Sequence, residues 1–159
     1  MLENWQFNEP GCLLVTDGEI EQEYRLTFKT MSAFDEAKFR RKRSQAFAIL
    51  DEQFGVDAER TDEQKDDAWI LLDLLVKHAA VISALASVEV KAGDEWQPAK
   101  LPDLWYDAKQ FAYNVPGGII DPLFEAVIEA GNPARLFMFL PATDDEKKML
   151  RLTVRPSEN

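Results

Sequence analysis

The stretch from Thr61 to Ala86 most constrains what this chain can fold into. Thr61 stands three residues before Gln64, the spacing of a capping box, and Asp62, Glu63, Asp66 and Asp67 suit the positive end of a helix dipole. Projected at about 100° per residue, Asp66, Asp73 and Lys77 fall in one narrow sector. Ile70, Leu71, Leu72, Leu74, Leu75, Val76, Val81, Ile82 and Leu85 spread over more than half of the circumference. An arc that wide has to be covered on two sides, either by the rest of the chain, with this as the central helix of a core, or in part by a partner. It does not read as a membrane span, because Asp73, Lys77 and His78 lie inside it and full charges at mid-depth cost about 2.5 to 3.5 kcal/mol each.

The chain has 159 residues, 46% of them apolar and 30% charged, which suits one globular domain with a core large enough to fold unaided. A net charge of −11 sets the average surface against nucleic acid and anionic membrane. One cysteine, Cys12, excludes an internal disulfide framework. The start, MLENWQFNEPG, has no basic segment leading into an apolar run, so no secretory signal is expected and the chain reads as cytoplasmic.

Before the central helix the pattern changes. Cys12 to Val15 is a short apolar run, Thr16-Asp17-Gly18 is a turn signal, and Tyr24, Leu26 and Phe28 alternate with Arg25, Thr27 and Lys29. These read as two short strands. Ser32 followed by Asp35 opens a helix carrying Phe34, Phe39, Phe47, Leu50 and Phe54, and Gly55 stops it. The same helix holds a basic run, Lys38, Arg40, Arg41, Lys42 and Arg43, whose members point in different directions and so form a solvated face or pair with the acids between Asp51 and Asp67.

After Ala86, Val88 and Val90 alternate with polar neighbours, and a loop follows from Gly93 to Pro98. Pro102 and Asp103 are expected to start a helix through Leu104, Trp105, Ala108, Phe111 and Ala112, stopped by Pro116-Gly117-Gly118. Asp121 and Pro122 then fit N-cap and N1 of a further helix with Leu123, Phe124, Val127 and Ile128 inward, closed by Gly131-Asn132-Pro133. Beyond it lie an apolar run, Leu136 to Leu140, and an expected helical turn near Asp144 to Leu150.

The expected fold is mostly α, a single-domain helical bundle over 1–159 with a small N-terminal β-hairpin. Its parts are a strand-rich start at 1–30, a helical core at 31–133 and a C-terminal tail at 134–159. The expected core is Phe39, Phe47, Trp69, Leu72, Leu75, Phe111 and Phe124.

Catalytic chemistry is sparse. His78 lies in the apolar arc and reads as a buried, hydrogen-bonded histidine, with no nucleophile motif beside it. Neighbouring acids such as Asp66 and Asp67 or Asp144 and Asp145 are explained by helix dipoles before acid–base pairing. No catalytic, cofactor-binding or metal-ligating residue is assigned, and no enzyme is expected.

The second half runs through Val88-Glu89-Val90, Trp96 and Leu101-Pro102-Asp103-Leu104 to Ile120-Asp121-Pro122-Leu123-Phe124-Glu125-Ala126-Val127-Ile128-Glu129-Ala130-Gly131-Asn132-Pro133. In this order of elements it resembles the tail assembly chaperones of long-tailed bacteriophages. The resemblance covers about three quarters of the chain; the part beyond Arg135 departs from it. It implies a protein that coats the long helical tape measure protein before the tail tube polymerises, and that recruits tail tube subunits. Its contact surface would then be apolar, drawn from Leu71, Leu74 and Leu85 of the central helix and Leu123 and Val127 of the late one, with self-association into a homo-oligomer through the first three. Two other readings stay open: an acidic binding or inhibitor protein that mimics DNA through the carboxylates between Asp51 and Asp67, and a structural component retained in the virion tail.

Overall fold

The computed structural model describes residues 2–9, 11–17 and 21–134, and for 2–9 the backbone alone. The expected features at Leu136 to Leu140 and Asp144 to Leu150 lie outside the described residues.

Five strands form one antiparallel sheet in sequential order: β1 (Leu2–Glu9), β2 (Cys12–Asp17), β3 (Gln22–Phe28), β4 (Leu85–Ala92) and β5 (Glu95–Pro98). Two long helices, α1 (Ala33–Phe54) and α2 (Asp62–Ala84), form a hairpin inserted between β3 and β4. After the sheet come a 3-10 turn at Asp103–Trp105 and two further helices, α3 (Ala108–Asn114) and α4 (Gly117–Glu129). The expected mostly α bundle is therefore corrected to an α+β fold.

The strands beyond the expected hairpin follow from local chemistry. α2 ends at Leu85, whose φ of −68° and ψ of 117° are already extended, so β4 begins with no loop. Its Val88 and Val90 pair with Leu26 and Tyr24 of β3. Ala92 pairs with Glu95, leaving Gly93-Asp94 as a two-residue hairpin loop, and Gly93 supplies the positive φ of 66° that such loops need. Alternation buries one face: Leu13, Val15, Tyr24, Leu26 and Phe28 are all buried and join a core cluster with α1, α2, α3 and α4.

Both expected capping boxes are present. The Ser32 hydroxyl accepts from the Asp35 N–H and Thr61 from the Gln64 N–H, with each N3 side chain bonded back to the cap backbone. Gly55 ends α1 at φ 75°.

The late helices differ from expectation. Pro102 and Asp103 begin a 3-10 turn, and α3 is capped instead by the Asp107 carboxylate, which accepts from the Gln110 N–H. Gly117-Gly118 starts α4 rather than stopping α3, and Asp121 and Pro122 lie inside it. Two helical glycines cost about 1 kcal/mol each, whereas fully burying Ile119 and Ile120, 1% and 3% exposed, stabilises by about 1.5 to 3 kcal/mol each. Burial wins. In the core, Phe39, Leu72, Leu75 and Phe111 are buried as expected; Phe124 is half-buried, and Phe47 and Trp69 are exposed.

Candidate functional site

The expected contact residues are mostly interior. α2 packs against α1, α3 and α4, which together cover its arc on several sides. Leu71, Leu123 and Val127 are buried, and Leu74 and Leu85 are partly buried against the core. In this conformation a partner reaches little of that set.

Apart from Phe34 and Tyr106, the large apolar side chains that face solvent lie nearer the tip of the α1–α2 hairpin. Trp69 and Ile70 are consecutive, so they point about 100° apart around α2 and face its two flanks. Trp69 is 39% exposed and Ile70 63%. Each borders a cleft. On Trp69's flank, Phe47 and Leu50 of α1 meet Ala68, Trp69 and Leu72 of α2 around an open cavity of about 270 Å³, rimmed by Asp51, Asp57, Arg60 and Lys65. On Ile70's flank, Phe54, Leu71 and Leu74 meet Ala112 and Tyr113 of α3 around about 370 Å³. The α1 helix carries Phe47 and Phe54 seven residues apart, which puts both on one stripe beside α2.

Arg60 sets the shape of the first cleft. Its side chain is only 7% exposed and reaches back under the turn. Nε donates to the Gly55 carbonyl at 2.9 Å, Nη2 lies 2.8 Å from Asp51 Oδ1, and Nη1 lies 3.6 Å from Asp57 Oδ1. One planar fork thus ties the end of α1 to the connection before α2. Asp51 and Asp57 at the tip thus pair with this local arginine.

That basic run fans around α1. Lys38 lies over the Phe34 ring, Arg43 over Phe39, and Arg40 is 3.7 Å from Glu36. Lys42 faces another small cleft beside His78, Tyr106 and Asp107.

His78 is a structural group. It is 3% exposed, its Nε2 lies 2.9 Å from the Trp105 carbonyl oxygen, and its ring is 4.9 Å from that of Phe111. Burial pushes its pKa down to about 4, against a smaller opposing effect of the Trp105 bond. The ring is therefore neutral near pH 7, with Nε2–H donating to Trp105. Cys12 is buried and free. Among the described residues, no group of three or more His, Cys, Asp or Glu side chains could hold a metal ion, and no helix is long and apolar enough to cross a membrane.

The opposite face of the sheet holds one more organised cluster. Arg25 Nη2 lies 2.8 Å from Glu89 on β4 while its guanidinium stacks 4.6 Å from the Trp96 ring on β5. It fastens three strands together.

Sequence reasoning placed Phe47 and Trp69 in the core and left Arg60 without a role. The sequence held no signal for the exposure of Trp69, because adjacent apolar residues such as Leu71 and Leu72 are both buried. No protein-family model, no curated protein and no solved structure matches the chain.

Proposed function

We propose that this chain is a tail assembly chaperone of a long-tailed bacteriophage, working as a binding protein that holds an apolar helical segment of the tape measure protein and helps recruit tail tube subunits. The observation that carries the reading is the paired apolar clefts, with Phe47 and Trp69 on one flank of the α1–α2 hairpin and Ile70 and Tyr113 on the other, on a chain of net charge −11. An amphipathic helix laid along α2 would bury its apolar stripe there, and the acidic surround would keep the complex soluble. The order of elements in the second half, through Ile120 to Pro133, supports the same reading by resemblance. The contact lies on exposed residues and leaves the buried Leu71, Leu123 and Val127 to hold the fold.

Co-expression with the tape measure protein tests it. A soluble complex is expected, with affinity little changed between low and moderate salt because the contact buries apolar area. Trp69→Ala with Ile70→Ala should lose the complex while leaving the melting temperature nearly unchanged. Aggregation of the tape measure protein to the same extent with and without this chain would end the assignment.

A second reading draws on the hairpin tip, where Asp57, Glu59, Asp62, Glu63, Asp66 and Asp67 are all exposed. A DNA mimic binding a basic protein through them would lose affinity steeply with added salt and would be indifferent to Trp69→Ala.

A further inference from the structure

α1 presents an outward face whose charges change sign about its middle. Arg40 and Arg41 are exposed on the N-terminal side, Asp51 and Glu52 on the C-terminal side, and Ser44 and Ala48 between them. The arrangement is antisymmetric about position 46: Arg40 and Glu52 are equally far from it, as are Arg41 and Asp51, and Ser44 and Ala48. Successive positions 40, 44, 48, 51 and 52 lie on the side of α1 turned away from the buried Phe39, Ala46 and Leu50, which seat the helix on α2.

We propose that a second copy of this chain docks here, α1 against α1 and antiparallel, across a two-fold axis near position 46. A two-fold contact must be self-complementary, so that each residue meets its mirror position on the other copy. This face satisfies that condition with opposite charges at both ends: Arg40 of each copy meets Glu52 of the other, and Arg41 meets Asp51. Ser44 and Ala48 at the crossing let the axes approach to about 8 Å, and Phe47, 40% exposed at the edge of the face, gains cover. Antiparallel pairing also sets each helix dipole against the other. Asp51 is already paired with Arg60 at 2.8 Å, so Arg41 would share its carboxylate and the Arg40–Glu52 pair carries the test. This contact borders the Trp69 cleft through Phe47 and Asp51, whereas Arg40 and Glu52, whose charges its test reverses, line neither cleft.

Sedimentation of the full chain from micromolar to millimolar concentration, at low and high salt, reads it out. A monomer–dimer equilibrium that weakens with salt is expected. Because each substitution is met twice across the axis, Arg40→Glu should raise the dissociation constant about tenfold or more, and so should Glu52→Lys. The decisive arm is the swap within one chain: Arg40→Glu with Glu52→Lys restores opposite charges on both sides and should recover dimerisation. Circular dichroism melts show that each exposed variant is folded. A strict monomer at every concentration overturns the proposal, as does an oligomer indifferent to both single changes, or a double variant that stays as weak as either single one.

Discussion

Asn132 Oδ1 accepts the Met31 N–H at 2.8 Å, joining residues 101 positions apart in the chain. The same amide donates from Nδ2 to the Lys29 and Val127 carbonyls, each at 2.9 Å, so one side chain pins the end of α4 to the connection from β3 into α1. Asn132 is 2% exposed, and its bonds to Met31 and Val127 are buried, so those two backbone groups have no ready water as a substitute. Asn132→Ala is expected to lower stability by about 3 kcal/mol, the loss of three bonds plus orphaned buried groups. Asn132→Asp should cost at least as much, since a carboxylate would face two carbonyls. Urea unfolding midpoints measure both.

The neighbouring Gly131 makes that junction possible. Its φ is 106°, and a Cβ there would stand 2.6 Å from Thr30 Oγ1, which donates to the Ala130 carbonyl at 2.7 Å. Gly131→Ala should therefore both strain the backbone and displace Thr30, at about 1 to 3 kcal/mol. Pairing it with Thr30→Ala, which removes the clash, should recover part of the loss; a double-mutant cycle in thermal melts shows how much.

His78 gives the fold a pH dependence with a defined sign. Its folded pKa is about 4, against an ordinary 6.5, so as pH falls the unfolded chain takes up the proton first. Stability contributed by the neutral ring is complete above pH 6.5 and declines as pH drops toward 4. The full loss is about 3 kcal/mol. His78→Gln keeps a donor toward Trp105 and cannot titrate. The stability difference between wild type and this variant should narrow over that window, and a constant difference would mean His78 does not carry the dependence.

Arg60 is the expected lock of the hairpin tip. Arg60→Lys keeps the charge but cannot hold the Gly55 carbonyl, Asp51 and Asp57 with one fork, so about 1 to 2 kcal/mol should be lost despite the conservative change. Hydrogen exchange should speed up first at the Gly55 amide, which donates to Asp51.

Much of the helical hairpin was legible because its signals are local. Ser32 with Asp35, Thr61 with Gln64, and Gly55 each act within a turn, and each marks an observed boundary. The sheet was not, because its cohesion is distant: β4 shows only two valines in alternation, and their value appears only beside Leu26 and Tyr24. A shorter signal was present at Gly93-Asp94, a two-residue loop type between alternating segments, but it read as part of a longer loop. The Gly117-Gly118 pair misled for the same reason, since the burial of Ile119 and Ile120 outweighs an intrinsic penalty that is all a local reading sees. The exposed Phe47 and Trp69 looked like core because helical spacing identifies a stripe without saying what covers it.

The insertion of α1 and α2 between β3 and β4 has a consequence for how the chain assembles. The Lys29 N–H donates to the Ala84 carbonyl at 2.9 Å and Phe28 pairs with Leu85, so the two ends of the excursion meet side by side. A loop of that length closes slowly when open, but a helical hairpin closed by local contacts shortens it. The capped α1–α2 unit is thus expected to form first and bring β4 to β3. Substitutions at the hairpin turn should slow refolding, while those in β4 should mainly speed unfolding.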